Sequence, residues 1–243
     1  TDRHGPDGAR RGLAENERFL AAGGTGMVGL HAAFTCTDET LAAAAQLAAA
    51  HDVGVHVHVA EGPEDAAAVD RLAGLTNDRW LLVHGVHLPD DHGLRGTIVH
   101  NPTSNMHNSV GYAAPRRFAN RVALGTDGIG ADMLAEFRTA FVRAREDDLQ
   151  VDPQEAWGWL GTGWELLPEA RQDRVHWSYH AMEAWHLAYT TSLRPLRVEV
   201  DGAVVLADGA PTRVDGEEIR AKAAEQARRL FRAIDDLPTP SGS

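Results

Sequence analysis

The stretch His56-Val57-His58-Val59-Ala60-Glu61 sets two imidazoles ahead of a carboxylate. Imidazole is a good zinc or iron ligand, and a nearby carboxylate can carry protons for a metal-activated water. Positions two apart on a strand face one side, so His56 and His58 share a face. His58 lies near the strand's end with Glu61 just beyond it. His56, deeper in the strand, reads as structural or supporting. The apolar run Leu81 to Val83 ends at His84, where an unpaired imidazole would be costly. His87, in the loop that follows, reads as a surface or supporting residue. His100-Asn101-Pro102-Thr103-Ser104-Asn105-Met106 is a strand end running into a polar turn. Ala123-Leu124-Gly125-Thr126-Asp127-Gly128 puts a carboxylate after an apolar strand, between glycines that permit close approach. A carboxylate there can ligate a metal and accept a proton from bound water. Each stretch alone also reads as a polar core residue or a surface acid. In this order, the four together point to metal-assisted hydrolysis.

The elements that must position these groups alternate. Strands are expected at Gly26 to His31, Val53 to Val59, Arg79 to Val83, Thr97 to Val99 and Arg121 to Leu124. Leu13 to Ala22 reads as the end of a helix. Further helices are expected over Asp38 to His51, with Thr37 as N-cap, over Pro63 to Ala73, over Asp90 to Leu94 and over Ala131 to Glu146. Such alternation implies parallel β/α units in an α/β fold, and a barrel or a doubly wound sheet would both fit. The placing of His31, His58, His84, His100 and Asp127 at the ends of successive strands favours a barrel, whose strand ends converge on one mouth. Five such strands can be read, so the expected fold is a partial (β/α)8 TIM barrel covering about strands 4–8. After about residue 150 the character changes. Trp157 to Trp185 is Trp-rich and resists assignment. Arg197 to Val200, the turn Asp201-Gly202 and Ala203 to Ala207 read as a hairpin. Glu217 to Ile234 reads as a closing helix whose Ile219, Ala223, Leu230 and Ile234 share a face. The expected division is 1–150, a partial hydrolase barrel; 151–195, an irregular connection; and 196–243, a C-terminal β-segment, a remnant of a hairpin or sandwich, with its helix.

The ordered motifs His58-Val59-Ala60-Glu61, Val83-His84-Gly85-Val86, His100 to Asn105 and Gly125-Thr126-Asp127-Gly128 resemble the amidohydrolase superfamily. The nearest branch is the aminohydrolase/chlorohydrolase group that includes guanine deaminase. Asn105-Met106 through Val110-Gly111-Tyr112, with Asp132-Met133, is most similar to its SsnA-like aminohydrolases. The resemblance covers Gly26 to Glu146 and reappears at Val198 to Leu230. It implies that His58 and Asp127 are metal ligands, with Asp127 doubling as a base. Glu61 would move a proton from the attacking water to the leaving amine. His84 would hydrogen-bond the oxygen of the hydroxide or tetrahedral intermediate. His31 and His100 would touch substrate, a structural role being open for His100. The two-metal members bridge their metals with a modified lysine on strand four. Here His31 occupies that region and Lys222 is the only lysine, so one divalent metal is expected, zinc ahead of iron. The implied reaction is attack of metal-activated water on an amidine-like ring carbon with loss of ammonia. Hydrolysis of another C–N or a C–Cl bond on the same scaffold is the alternative. So is an inactive remnant that acts only in binding.

The resemblance also implies a first-strand His-x-His pair, which would lie upstream of Thr1. The chain therefore resembles a family member lacking its N-terminal part. It keeps about half of a metal site, and weak metal binding with little activity is expected. A formal charge of −12 argues against a nucleic-acid partner. A small-molecule substrate fits better, and a homodimer is compatible. With no run of about 18 apolar residues, no transmembrane helix is expected. The single cysteine, Cys36, forms no disulfide within the chain and reads as a small buried filler, so a cytoplasmic location is expected.

Overall fold

The computed structural model describes residues 2–180 and 183–237. These form two compact units. The first contains the helices α1 (Gly5–Ala21), α2 (Asp38–Ala50), α3 (Pro63–Ala66), α4 (Pro102–His107), α5 (Met133–Asp147), α6 (Pro153–Leu166) and α7 (Ala184–Tyr189). Its strands are β1 (Val28–Ala32), β2 (Val55–Val59), β3 (Leu81–His84), β4 (Thr97–His100) and β5 (Arg121–Leu124). They form one parallel sheet in the order β1-β2-β3-β4-β5. Each crossover returns the chain to the same end, so all five strands exit toward one rim.

One face of this sheet is the core. Val28, Leu30, Val55, Val57, Val59, Leu82 and Ile98 pack against Leu41, Ala44, Ala48, Leu72 and Trp80. At β1 and β2 the residues of opposite parity do the reverse: Gly29, His31 and His56 are exposed and His58 is half-buried. A parallel strand covered on both faces reads as a continuous apolar run. The alternation Val-His-Val-His-Val in β2 is therefore the mark of one covered and one uncovered face.

The N-cap read from the sequence at Thr37 is in place: its hydroxyl accepts from Thr40 N–H at 3.3 Å. A second cap is found at Asp132, which accepts from Leu134 and Ala135 N–H at 3.0 Å. Three expectations are corrected. Asp90 to Leu94 is a turn: Gly93 takes φ +67° and His92 Nδ1 accepts from Leu94 N–H, which diverts the backbone from a helix. Pro63 to Ala73 divides into α3 and a 3-10 turn over Val69–Leu72. The Trp-rich stretch is regular for much of its length, with α6, β6 (Arg174–Trp177) and α7 in it. In α6 three glycines lower helix propensity, and packing supplies what propensity lacks: Trp157 meets Phe137 of α5 edge-on at 5.3 Å.

The second unit is an antiparallel sheet of β6, β7 (Pro195–Val200), β8 (Ala203–Ala207) and β9 (Ala210–Pro211), followed by α8 (Gly216–Asp235). The β7–β8 hairpin turns on Asp201 and Gly202, with φ of 49° and 72°. Positive φ at both central residues is what a tight hairpin of this twist requires. Asp215 caps α8, whose Ile219, Leu230 and Ile234 are exposed. Among the described residues no helix is long and apolar enough to cross a membrane.

Candidate metal centre

Successive strand exits bring the candidate groups to one rim. Rings of His31 and His58 lie 5.3 Å apart, and those of His58 and His84 lie 5.1 Å apart, both edge-on. Strict alternation would send His84 to the core face with Leu82. Its φ of 76° breaks the alternation, and its ring meets His58 instead. Ala60 (φ 50°) and Asp127 (φ 51°) turn the chain in the same way after β2 and β5. Left-handed backbone at a non-glycine residue costs about 1–2 kcal/mol and persists where surrounding structure holds it. Here, the loop after β3 is tied to the loop after β2. Gly85 N–H donates to the Val59 carbonyl at 2.9 Å and His87 N–H to the Ala60 carbonyl at 2.8 Å.

Donor atoms of His58, Glu61 and His84 all lie within 4.8 Å of one another. Glu61 Oε2 stands 3.6 Å from His84 Nε2. The buried His84 is held by Asn105, whose Oδ1 lies 2.9 Å from its Nδ1. The Asn101 amide is farther, at 3.5 Å, so the Asn105 oxygen decides the tautomer. In the neutral ring this contact places the hydrogen on Nδ1 and turns the lone pair of Nε2 toward Glu61. That Nε2 is buried and has no hydrogen-bond partner. An unsatisfied buried nitrogen costs about 1–3 kcal/mol, and beside a second imidazole and a carboxylate it could be met by a cation. Burial, with the charges of His84, His31 and His56, pushes His58 down to about 4. It is therefore neutral and able to ligate at pH 7.

Asp127 lies on the exposed rim after β5. Its Oδ2 accepts from Ser104 Oγ at 2.6 Å and its Oδ1 from Gly128 N–H at 2.8 Å. The Ser104 hydroxyl holds it below the usual carboxylate range, with His84 and His58 adding to the effect. It does not belong to the close group of His58, Glu61 and His84. His31 is exposed at the end of β1, its Nδ1 3.0 Å from Thr35 Oγ1. With His58, Glu61, Phe34 and Val110 it lines a cavity of about 240 Å³. His100 is placed differently: it is fully buried against Tyr112, with both ring nitrogens unpartnered.

Three residues not assigned from the sequence complete the site. Ser104, Asn105 and Asn108 all come from α4 and its C-cap. They reach Asp127, His84 and Glu61 respectively, Asn108 Nδ2 lying 3.2 Å from Glu61 Oε1. The start of α4 is in turn fixed by Glu136 of α5, which accepts from Thr103 N–H at 3.2 Å. Burial raises the Glu136 carboxyl. Their spacing i, i+1, i+4 puts these groups on one side of the helix, but the stretch reads as a polar turn, so the spacing alone did not point to them.

Residues 5–157 match the model of the amidohydrolase family. A 5-methylthioadenosine/S-adenosylhomocysteine deaminase of Pelotomaculum thermopropionicum is 30% identical over 92% of this chain and 63% of its own length. An adenosine deaminase from Xanthomonas campestris, solved with bound zinc, superposes with a TM-score of 0.68 at 21% identity, over 90% of this chain and 62% of that one. An amidohydrolase from Brucella melitensis gives a TM-score of 0.72 at 18% identity, over 90% and 60%. At these identities the two structures speak for the fold alone. The chain spans less than two thirds of the length of each of these proteins.

Proposed function

The chain belongs to the amidohydrolase family, and from that premise we propose that it carries the metal-binding and proton-handling half of a hydrolase that removes an amino group from a heterocycle, an adenosine-like compound being the favoured class. One observation carries this reading: the convergence of His58, Glu61 and the partnerless Nε2 of His84. Two imidazoles and a carboxylate suit a single divalent ion, zinc ahead of iron. His58 and Asp127 would hold it, and His84 Nε2 faces the same space. When bound, such an ion supplies an acidified water, with a pKa near 7.

The chain's own residues would do the rest. Asp127, ionised, accepts a proton from the attacking water. Glu61 carries a proton to the departing nitrogen, which leaves as ammonia while the ring carbon gains a carbonyl oxygen. Its half-buried carboxylate can reach both bulk water and the inner rim. Asn105 holds the His84 ring in one tautomer. His31 and Phe34, on the wall of the cavity, would flank the substrate ring. The buried position of His100 favours the structural role for that residue. The five-stranded sheet is read as strands four to eight of an eight-stranded barrel, with residues 1–150 as its hydrolase part, 151–195 as a connection and 196–243 as an appended β-segment and helix. Structural likeness over 90% of the chain supports this assignment. A reducing, cytoplasmic compartment belongs to the same reading, supported by the free and buried Cys36.

The test is metal analysis and ammonia release. Zinc-loaded chain should carry one equivalent of zinc, and the His58→Ala chain should carry none. Ammonia release is then assayed with adenosine, 5-methylthioadenosine and S-adenosylhomocysteine. Equal zinc content in both proteins, with no ammonia from any substrate, would sink the proposal.

A further inference from the structure

Resting on the roles given above to Glu61 and Asp127, we propose that Asn108 and Ser104 are positioning residues that join those two carboxylates through one directional hydrogen-bond chain. The amide nitrogen of Asn108 stands 3.2 Å from Glu61 Oε1 and 3.5 Å from Ser104 Oγ. Ser104 Oγ stands 2.6 Å from Asp127 Oδ2. The inventory of hydrogens sets the direction. An amide nitrogen carries two hydrogens and accepts none, and a hydroxyl carries one. Asn108 therefore donates to Glu61 and to Ser104, and the single Ser104 hydrogen goes to Asp127. Both carboxylates stand at the ends of the chain as acceptors.

Three consequences follow from this wiring. The second oxygen of Asp127 accepts from Gly128 N–H at 2.8 Å, so both oxygens of this carboxylate are held. Glu61 is tied at Oε1, which leaves Oε2 as the atom that faces His84 Nε2 at 3.6 Å. And Ser104 is fully buried while Asn108 and Asp127 are exposed, so the link between the two carboxylates passes below the surface at Ser104. Two groups launched from different strands, β2 and β5, thereby have their separation set by α4 and its C-cap. A shift of one carboxylate is passed to the other.

The experiment reads carboxylate ¹³C resonances in the zinc-free chain and zinc affinity by calorimetry. Asn108→Ala is the principal variant, because an exposed residue at a helix end can be truncated without opening the core. It should move the Glu61 resonance and also that of Asp127, which Asn108 reaches only through Ser104. Ser104→Ala should move both from the other side, and Asn108→Gln should recover part of the wild-type pattern by restoring an amide donor. Each alanine variant should weaken zinc binding about tenfold, the usual scale for groups that orient ligands. The double variant should be no worse than about tenfold, because both cuts break one chain. An Asp127 resonance unmoved by Asn108→Ala, or losses that multiply to about a hundredfold, would overturn the inference. If Ser104→Ala does not fold, the Asp127 resonance in the two Asn108 variants decides alone. Absence of stoichiometric zinc in the wild type would sink the metal reading but leave the carboxylate measurement decisive. Zinc binding with an unmoved Asp127 would sink only the chain.

Discussion

Imidazoles that are held neutral make this fold sensitive to acid. Burial pushes His100 down to about 3, against an ordinary value of 6.5. The unfolded chain then binds more protons than the folded one throughout that interval. Stability from His100 is fully present above about pH 6.5 and is lost as the pH falls toward 3. At pH 5 the loss is about 2 kcal/mol for a shift of this size. Urea unfolding at pH 7 and pH 5 should therefore show a drop in the wild type that shrinks in His100→Phe. An identical drop in both would mean that His100 is not buried in its neutral form. Glu61→Gln tests a different residue. It keeps the acceptor for Asn108 but removes the proton carrier of the proposed reaction, so zinc content should stay at wild-type level while whatever ammonia release the wild type shows falls by about 10²–10⁴-fold. Loss of zinc in that variant would recast Glu61 as a ligand. His58, Glu61, His84 and Asp127 could be singled out in the sequence because each ends or follows an apolar strand, and the structure brings donor atoms of the first three within 4.8 Å of one another. Their partners Ser104 and Asn108 could not, because a serine and an asparagine in a polar stretch carry no mark of what they face.

At the scale of elements, the exit of β5 is packed against that of β4. A Cβ on Gly125 would lie 2.4 Å from Asn101 Oδ1 and 2.9 Å from Val99 Cγ1. Asn101 is buried beside His84 and cannot swing into solvent. Gly125→Ala should accordingly destabilise by about 1–3 kcal/mol, read as a lower urea midpoint with an unchanged slope. An unaltered midpoint would show that the rim is looser than its packing implies. Strands β1 to β5 were readable from apolar runs bounded by turn residues. The helix α4 was not, since Asn101-Pro102-Thr103-Ser104-Asn105 has the composition of a turn, and the bond from Thr103 N–H to Glu136 that ties its first turn comes from a distant helix. Likewise α6 was hidden by its glycines, and only the contact of Trp157 with Phe137 reveals why it is helical.

For the whole molecule, binding should be visible as stability. A ligand that engages only the folded state at a free concentration one hundred times its Kd adds about 2.7 kcal/mol. Zinc should raise the melting temperature of the wild type, chelation should reverse the rise, and His58→Ala should respond to neither. A melting temperature indifferent to zinc would remove the coupling between site and fold. The hairpin after residue 195 was legible from Asp201-Gly202, whereas β6 was concealed in the Trp-rich stretch. The row formed by His31, His56 and His58 on the uncovered side of β1 and β2, with rings 5.3 and 6.1 Å apart along it, has a practical corollary. Accessible imidazoles bind nickel and copper at least as well as zinc. The untagged polypeptide should consequently be retained on immobilised-nickel resin and elute with competing imidazole, and any nickel it carries away would masquerade as its native ion.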